Sequence, residues 1–292
     1  MYRDFSALKN ALPYIQAYQN KFFVVKLGGE VCEEIHVLEK IASEISLLSA
    51  FGLKIVVVHG GGNQATEHAS KLGIESRMVQ GRRVTSPEML KAHTQAVRGE
   101  LNTLLVSKFN ASGLKAVGLS GVDGEILISE KRVPQDIEIN GKIERIDFQQ
   151  VGDIKEVHTS LLEALLLKGF TPVIASLSGG KDGEVFNVNA DTIASQIAIA
   201  LKAEKLIFLT AVDGVMRDIK NSATLFTELN LNQAEALIAS GEISGGMIPK
   251  ISNCKAALLG GVKRTHIVSG SAPDSLLTEL FTNEGIGTMV VR

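Results

Sequence analysis

A chain of 292 residues with 45% hydrophobic content is long enough for one large α/β domain or two smaller ones with a full core. Its formal net charge of -2 excludes the basic field that nucleic-acid binding needs, and no Lys/Arg block supplies a local one. Cys32 and Cys254 are far apart in sequence and form no metal-type spacing, which points to inert thiols in a reducing compartment.

The first stretch, MYRDFSALKNALPYIQAYQNK, is too polar for a secretory signal, and no apolar run approaches the roughly 18 residues that span a bilayer. A cytoplasmic protein with no membrane partner is therefore expected. Residues 1–20 read as an amphipathic helical extension, with Leu8, Leu12, Ile15 and Tyr18 near helical spacing on a face available to a partner subunit. A strand follows at FFVVKLGG (22–29), then a helix at 36–52, a strand at KIVVVHGGG (54–62) and a helix after Asn63. This alternation predicts α/β architecture, an open and mainly parallel central sheet sandwiched by helices.

The segment 86–113 predicts a long helix, with Ser86 as N-cap, Pro87 in the first position and Gly113 as its stop. Short alternating runs between Gly124 and Phe148 flank Asn140-Gly141, the signature of a small antiparallel hairpin flap. The rhythm then resumes: a helix in HTSLLEALLLKG, a strand at 170–178, a helix at 190–203, a strand at 205–212, two more helices, and strands at 264–270 and 287–292. The expectation is one continuous sheet, with a domain over 21–292 divided near Leu177 into lobes 21–177 and 178–292.

Strand–glycine–helix turns let an anion approach the backbone N–H groups at a helix start. Gly60-x-Gly62-x-x-Ala65 formally matches a dinucleotide fingerprint, but that fold needs an acid about 20 residues on, where RMVQGRRVTSPE stands instead. HGGG would suit a hydrolase oxyanion hole, yet GLSGV (118–122) and SGSAP (269–273) both lack the last glycine of G-x-S-x-G. The remaining reading is phosphoryl transfer without a Walker A sequence, its phosphates held by several turns: Gly28-Gly29 after Lys26, Gly60 to Gly62, Gly179-Gly180, and Gly245-Gly246 before Lys250. At the carboxyl ends of strands in one parallel sheet, these turns would line the edge where open α/β folds bind ligands.

VVKLGG, VVVHGGG, GRRVT, FNVNADTIA, LTAVDGV and SGGMIPK, in this order, resemble the amino acid kinase family from about Lys21 to the C-terminus, and NVNAD with GGMIPK resembles its N-acetylglutamate kinase branch. The resemblance implies transfer of the γ-phosphoryl of ATP, with Mg2+ held mainly by the nucleotide phosphates, to the side-chain carboxylate of N-acetyl-L-glutamate in arginine synthesis. Such an acceptor has a pKa of about 4.3, is already ionised at neutral pH and needs no general base. Lys26 and Lys250 match the family's two transition-state lysines, and Asp191 would orient both by ion pairing or cap the helix that follows it.

For the acceptor, the resemblance assigns the backbone of Gly61 and Gly62, Arg83 (with Arg82 its neighbour), Asn187 and Asn189. For the nucleotide it assigns Gly28, Gly29, Thr210, Asp213, Gly214, Gly245, Gly246 and Met247. Ala211 stands where the family often has Asp, and Val122 where many relatives have Lys. The second departure leaves open a related acceptor, N-succinylglutamate or a carrier-linked aminoadipate; a non-catalytic amino-acid sensor of the same fold is the alternative from another class. The N-terminal extension resembles the helix with which arginine-inhibited members join dimers into a hexameric trimer of dimers. Tyr14, His266, Glu279 and Gly285 match that group's arginine site.

Overall fold

The computed structural model describes residues 6–139, 141–218 and 221–292; Asn140 and the Leu8 side chain, both named above, lie outside the described residues. The apolar runs become the strands β1 (Phe22–Leu27), β2 (Lys54–His59), β3 (Ala116–Ser120), β4 (Thr171–Ala175), β5 (Lys205–Thr210), β6 (Glu228–Asn230), β7 (Arg264–Ser269) and β8 (Thr288–Val291). They form one eight-stranded sheet in the order β6-β8-β7-β5-β1-β2-β4-β3. All pairings are parallel except β7 with β8. Because β1 lies between β2 and β5, the strand order switches direction at β1, which is where open α/β folds form a ligand crevice at the strands' carboxyl ends.

The helices are α1 (Ser6–Tyr18), α2 (Ile35–Ala50), α3 (Gly62–Lys71), α4 (residues 87–111), α5 (Ser160–Leu167), α6 (Ala190–Ala200), α7 (Leu231–Ala239), α8 (Met247–Leu259) and α9 (Ser275–Phe281). Alternate strand residues face opposite layers. Val24, Val56, Val58, Ile174 and Phe208 pack with α5, α6 and α8, while Phe23, Val25, Ile55, Val57 and Ile207 pack with α2, α4 and α9. That alternation puts Lys26 on the α6 side and His59 on the α4 side.

Ser86 caps α4 as expected, its Oγ accepting from Met89 N at 3.1 Å. The helix is not uniform, however: between Pro87–His93 and Asn102–Ala111 it runs as a π-helix over Thr94–Leu101. The hairpin flap is present as Gln135–Ile139 paired with Lys142–Ile146, with Gly141 at φ +77° just before the second strand. It shares a small core of Val79, Val84, Ile137, Ile146 and Phe148 with a second hairpin, Met78–Val79 against Arg82–Arg83.

The sheet is not continuous as the sequence suggested. β4 ends at Ala175, and Leu177–Gly179 joins Leu127–Lys131, Gly152–Val157 and Val185–Asn187 in a separate four-stranded sheet. The apolar run 170–178 hides this change because both halves are buried on both sides. Gly179 and Gly180 accordingly open a hairpin, Gly180 N donating to Glu184 O at 2.8 Å, rather than a turn on the main sheet's edge. Helix α9, which the reading lacked, is held by Glu44 of α2, whose buried carboxylate accepts from Leu276 N at 2.7 Å. Of the α1 face, Ile15 and Tyr18 are buried within the chain itself, Tyr18 against Phe23 and Phe281, while Leu12 stays exposed.

Burial pushes the imidazoles of His59 and His93 down to about 4. An unfolded histidine titrates at about 6.5, so below that pH the unfolded chain binds more protons than the folded one. Their contribution to stability is complete above about pH 6.5 and declines toward pH 4, at about 1 kcal/mol per pH unit for each ring. Urea denaturation across that range is expected to give a slope shallower by this amount in His93→Gln; an unchanged slope contradicts the neutral, buried state.

Candidate active site

Lys26 is the fifth residue of β1, and its side chain turns from the apolar interior toward the start of α6. There its Nζ lies 2.7 Å from Asp191 Oδ1, and Lys250 Nζ, from the first turns of α8, lies 3.6 Å from Asp191 Oδ2. One carboxylate thus bridges two ammonium groups from different elements. Burial alone would raise the Asp191 pKa, but the charges of Lys26 and Lys250 hold it below the ordinary value. The cap of α6 belongs to a different residue: Asn189 Oδ1 accepts from Asp191 N at 2.8 Å and Thr192 N at 3.2 Å. The Asp191 carboxylate is thereby left to the lysines.

Across the crevice, β2 runs into Gly60–Gly62 and α3. Gly61 holds φ +149°, and a Cβ there would meet Val97 Cγ2 at 2.8 Å, so only glycine fits between the loop and α4. The first N–H groups of α3 have no partner within their helix and suit an anion. Arg83 reaches the same turn from its hairpin, Nη2 donating to Gly62 O at 2.9 Å and to Thr66 Oγ1 at 2.7 Å, while Nη1 donates to Ser76. Arg82 is exposed. Asn187 ends its strand beside Thr85, its Nδ2 donating to Thr85 Oγ1 at 3.1 Å, which leaves its amide oxygen open to a donor.

On the other side of β1, Gly28 N continues the pairing to Leu209 O at 2.9 Å, and Gly29 starts a short 3-10 turn. Thr210 ends β5 with its hydroxyl on Val212 O at 2.7 Å. Asp213 is exposed, and Gly214 is packed so closely that a Cβ would lie 2.6 Å from Thr288 Oγ1. Gly245, at φ +57°, and Gly246 lead into α8, with Met247 its first residue. Ala211 and Val122 are both exposed. Among the described residues no group of three or more His, Cys, Asp or Glu side chains is arranged to hold a metal ion.

Tyr14, His266, Glu279 and Gly285 come together around a second cavity, of about 450 Å³, lined by α1 and α9. His266 Nδ1 donates to Glu279 Oε1 at 2.5 Å, and Glu279 Oε2 accepts from Ile286 N at 2.9 Å and Gly287 N at 3.0 Å. Tyr14 donates to Asn283 at the rim. Sequence reasoning missed two cations of this cavity, Lys205 and Arg264. Burial draws the Lys205 ammonium down to about 8, and it stands 5.2 Å from the Tyr18 ring. A lysine opening an otherwise apolar strand, as Lys26 interrupts β1, was the available signal.

The amino acid kinase family model matches residues 21–269. An acetylglutamate kinase of Myxococcus xanthus is 43% identical over 290 residues, covering 99% of this chain and 94% of that protein. The N-acetylglutamate synthase of Neisseria gonorrhoeae, solved with coenzyme A and N-acetylglutamate, superposes with a TM-score of 0.84 at 29% identity. This chain is covered in full and spans 64% of that longer protein. The same synthase solved with coenzyme A and L-arginine gives a TM-score of 0.82 at 28% identity, covering 99% of this chain and 66% of that one. The order of the β1 and β2 glycine turns, the paired lysines and the near full-length match agree: the chain belongs to the amino acid kinase family, alongside the acetylglutamate kinases.

Proposed function

We propose that this protein transfers the γ-phosphoryl group of ATP to the side-chain carboxylate of N-acetyl-L-glutamate, giving N-acetyl-L-glutamyl 5-phosphate and ADP. The observation that carries this reading is the bridged pair of ammonium groups facing a glycine turn across the end of β1. The acceptor carboxylate attacks the γ-phosphorus, the bond to the β-phosphate oxygen breaks, and no proton changes hands. Catalysis then consists of alignment and charge neutralisation. Lys26 and Lys250 screen the repulsion between two anions and stabilise the charge on the moving phosphoryl, with Asp191 fixing where each points.

Gly61 and Gly62 receive the reacting carboxylate, Arg83 takes the α-carboxylate as a fork, and the Asn187 amide oxygen accepts the acetamido N–H. Asn189 contributes through its remaining amide hydrogens, since its oxygen caps α6. The nucleotide lies over the β5 side, against Gly28, Gly29, Thr210, Asp213, Gly214 and the Gly245–Met247 start of α8. Magnesium would be held by the nucleotide phosphates and would supply further charge screening there, because both Asp191 oxygens are already paired with lysines. The division into an acceptor lobe, 21–177, and a nucleotide lobe, 178–292, follows from this placement, and a cytoplasmic location accords with the absence, among the described residues, of a helix able to cross a membrane.

The second cavity is assigned to arginine as a feedback inhibitor. Glu279 and Tyr14 suit a guanidinium and its stem, while Lys205 and Arg264 suit the α-carboxylate. Helix α1 forms part of the wall and offers Leu12 to a second subunit, consistent with dimers joined into a hexamer.

ADP release is expected with MgATP and N-acetylglutamate, and kcat is expected to fall by about 100-fold or more in Lys250→Ala. Turnover of N-succinylglutamate, aspartate, carbamate or UMP in place of N-acetylglutamate overturns the acceptor, and full activity in Lys250→Ala overturns the mechanism. Arginine is expected to inhibit, with its half-inhibiting concentration raised by about tenfold or more in Lys205→Met, the equivalent of one lost charged contact. Insensitivity of the wild-type enzyme to arginine contradicts that assignment.

A further inference from the structure

The glycine loop after β2 is held from beneath by a buried polar chain that none of the roles above uses. His59 Nδ1 lies 2.7 Å from Gly60 O. A carbonyl oxygen only accepts, so Nδ1 carries the proton, and Nε2 of the neutral ring must accept. Asn102 Nδ2 meets that need at 2.9 Å and gives its other hydrogen to Val173 O at 3.0 Å. Asn102 Oδ1 accepts from Arg98 Nη1 at 3.0 Å, and Arg98 Nη2 donates to Gly118 O at 3.1 Å. Donors and acceptors match along the whole chain, so it has a single polarity. A second proton on His59 would set two donors face to face at Nε2.

The helix supplying these groups is built for close approach. Its π segment ends at Leu101, directly before Asn102, and π-bulges concentrate at functional sites. The same segment brings Val97 under Gly61, while Asn102 Oδ1 sits where a Cβ on Gly118 would be, at 2.2 Å. Helix α4 thus meets the loop through the apolar side chains of Val97 and Leu101 and through one hydrogen-bonded ring.

We propose that His59, locked in its Nδ1–H tautomer by Asn102, is a positioning residue for phosphoryl transfer. It draws the Gly60 carbonyl toward the buried ring, so that the N–H groups of Gly61 and Gly62 stay turned into the crevice. There they meet the charge that develops on the phosphoryl oxygens. The proposal rests on the carboxylate-kinase reading above.

Two substitutions separate the two ring contacts. An asparagine amide nitrogen falls near the position of Nδ1, so His59→Asn keeps the bond to Gly60 O. A glutamine terminus reaches the position of Nε2, so His59→Gln keeps only the bond to Asn102. His59→Gln is expected to lower kcat by about tenfold or more while leaving KM for ATP within about twofold, and His59→Asn is expected to recover most of the loss. Wild-type kcat in His59→Gln, or equal impairment of both variants, overturns the proposal. The nitrogen spectrum of the ¹⁵N-histidine-labelled wild-type protein tests the lock without any variant. A neutral ring protonated at Nδ1 is expected at pH 6, and a protonated ring or the Nε2–H tautomer overturns it. A wild-type enzyme that turns over no acceptor instead overturns the kinase reading, and the spectrum still reports separately on the tautomer.

Discussion

Two ammonium groups held side by side, one buried and one partly buried, repel each other and lose hydration. Asp191 resolves this by standing between them, 2.7 Å from Lys26 and 3.6 Å from Lys250. Much of the architecture can be understood as satisfying that arrangement. Strand β1 must end at the centre of the sheet so that Lys26 emerges at the crevice. Helix α6 must begin beside it with its cap supplied by another residue, and α8 must point its first turns at the same carboxylate. The cluster then carries net positive charge, two cations against one anion, at the crevice proposed for the two anionic substrates.

The opposite wall of the crevice is constrained by backbone rather than charge. Gly61 adopts a conformation closed to other residues and lies against Val97, so the loop's path is set by how near α4 comes. Period-two alternation in the strands sorts the two requirements onto different layers. Lys26 faces α6 and α8, and His59 faces α4, although both leave adjacent strands at the same edge of the sheet. The charged cluster belongs to one layer and the packing that sets the loop's path to the other.

Much of this was legible in the sequence. Lys26 betrays itself by interrupting an apolar strand, HGGG by ending one, and Ser86-Pro87 by the ordinary chemistry of a helix start. The break between Ala175 and Leu177 was not legible, because a strand that changes sheets while remaining buried keeps its apolar pattern. The π segment of α4 was not read either: its buried residues Ala96, Val97 and Leu101 are too few to tell a widened turn from an ordinary one. Asp191 was read as bridge or cap; geometry separates the two by giving the cap to Asn189, two residues earlier. The pairing of His59 with Asn102 escaped notice for a simpler reason: a buried polar pair 43 residues apart has no local signature.

Because the lysines owe their shared orientation to a single carboxylate, the most direct measurement is kcat for Asp191→Asn with MgATP and N-acetylglutamate, made on protein shown by circular dichroism to be folded. The amide keeps the shape and removes the charge. A fall of about 100-fold or more, with both KM values changed far less, is the predicted result. A kcat within about threefold of wild type would contradict the account, since the two ammonium groups would then be placed without the charge between them.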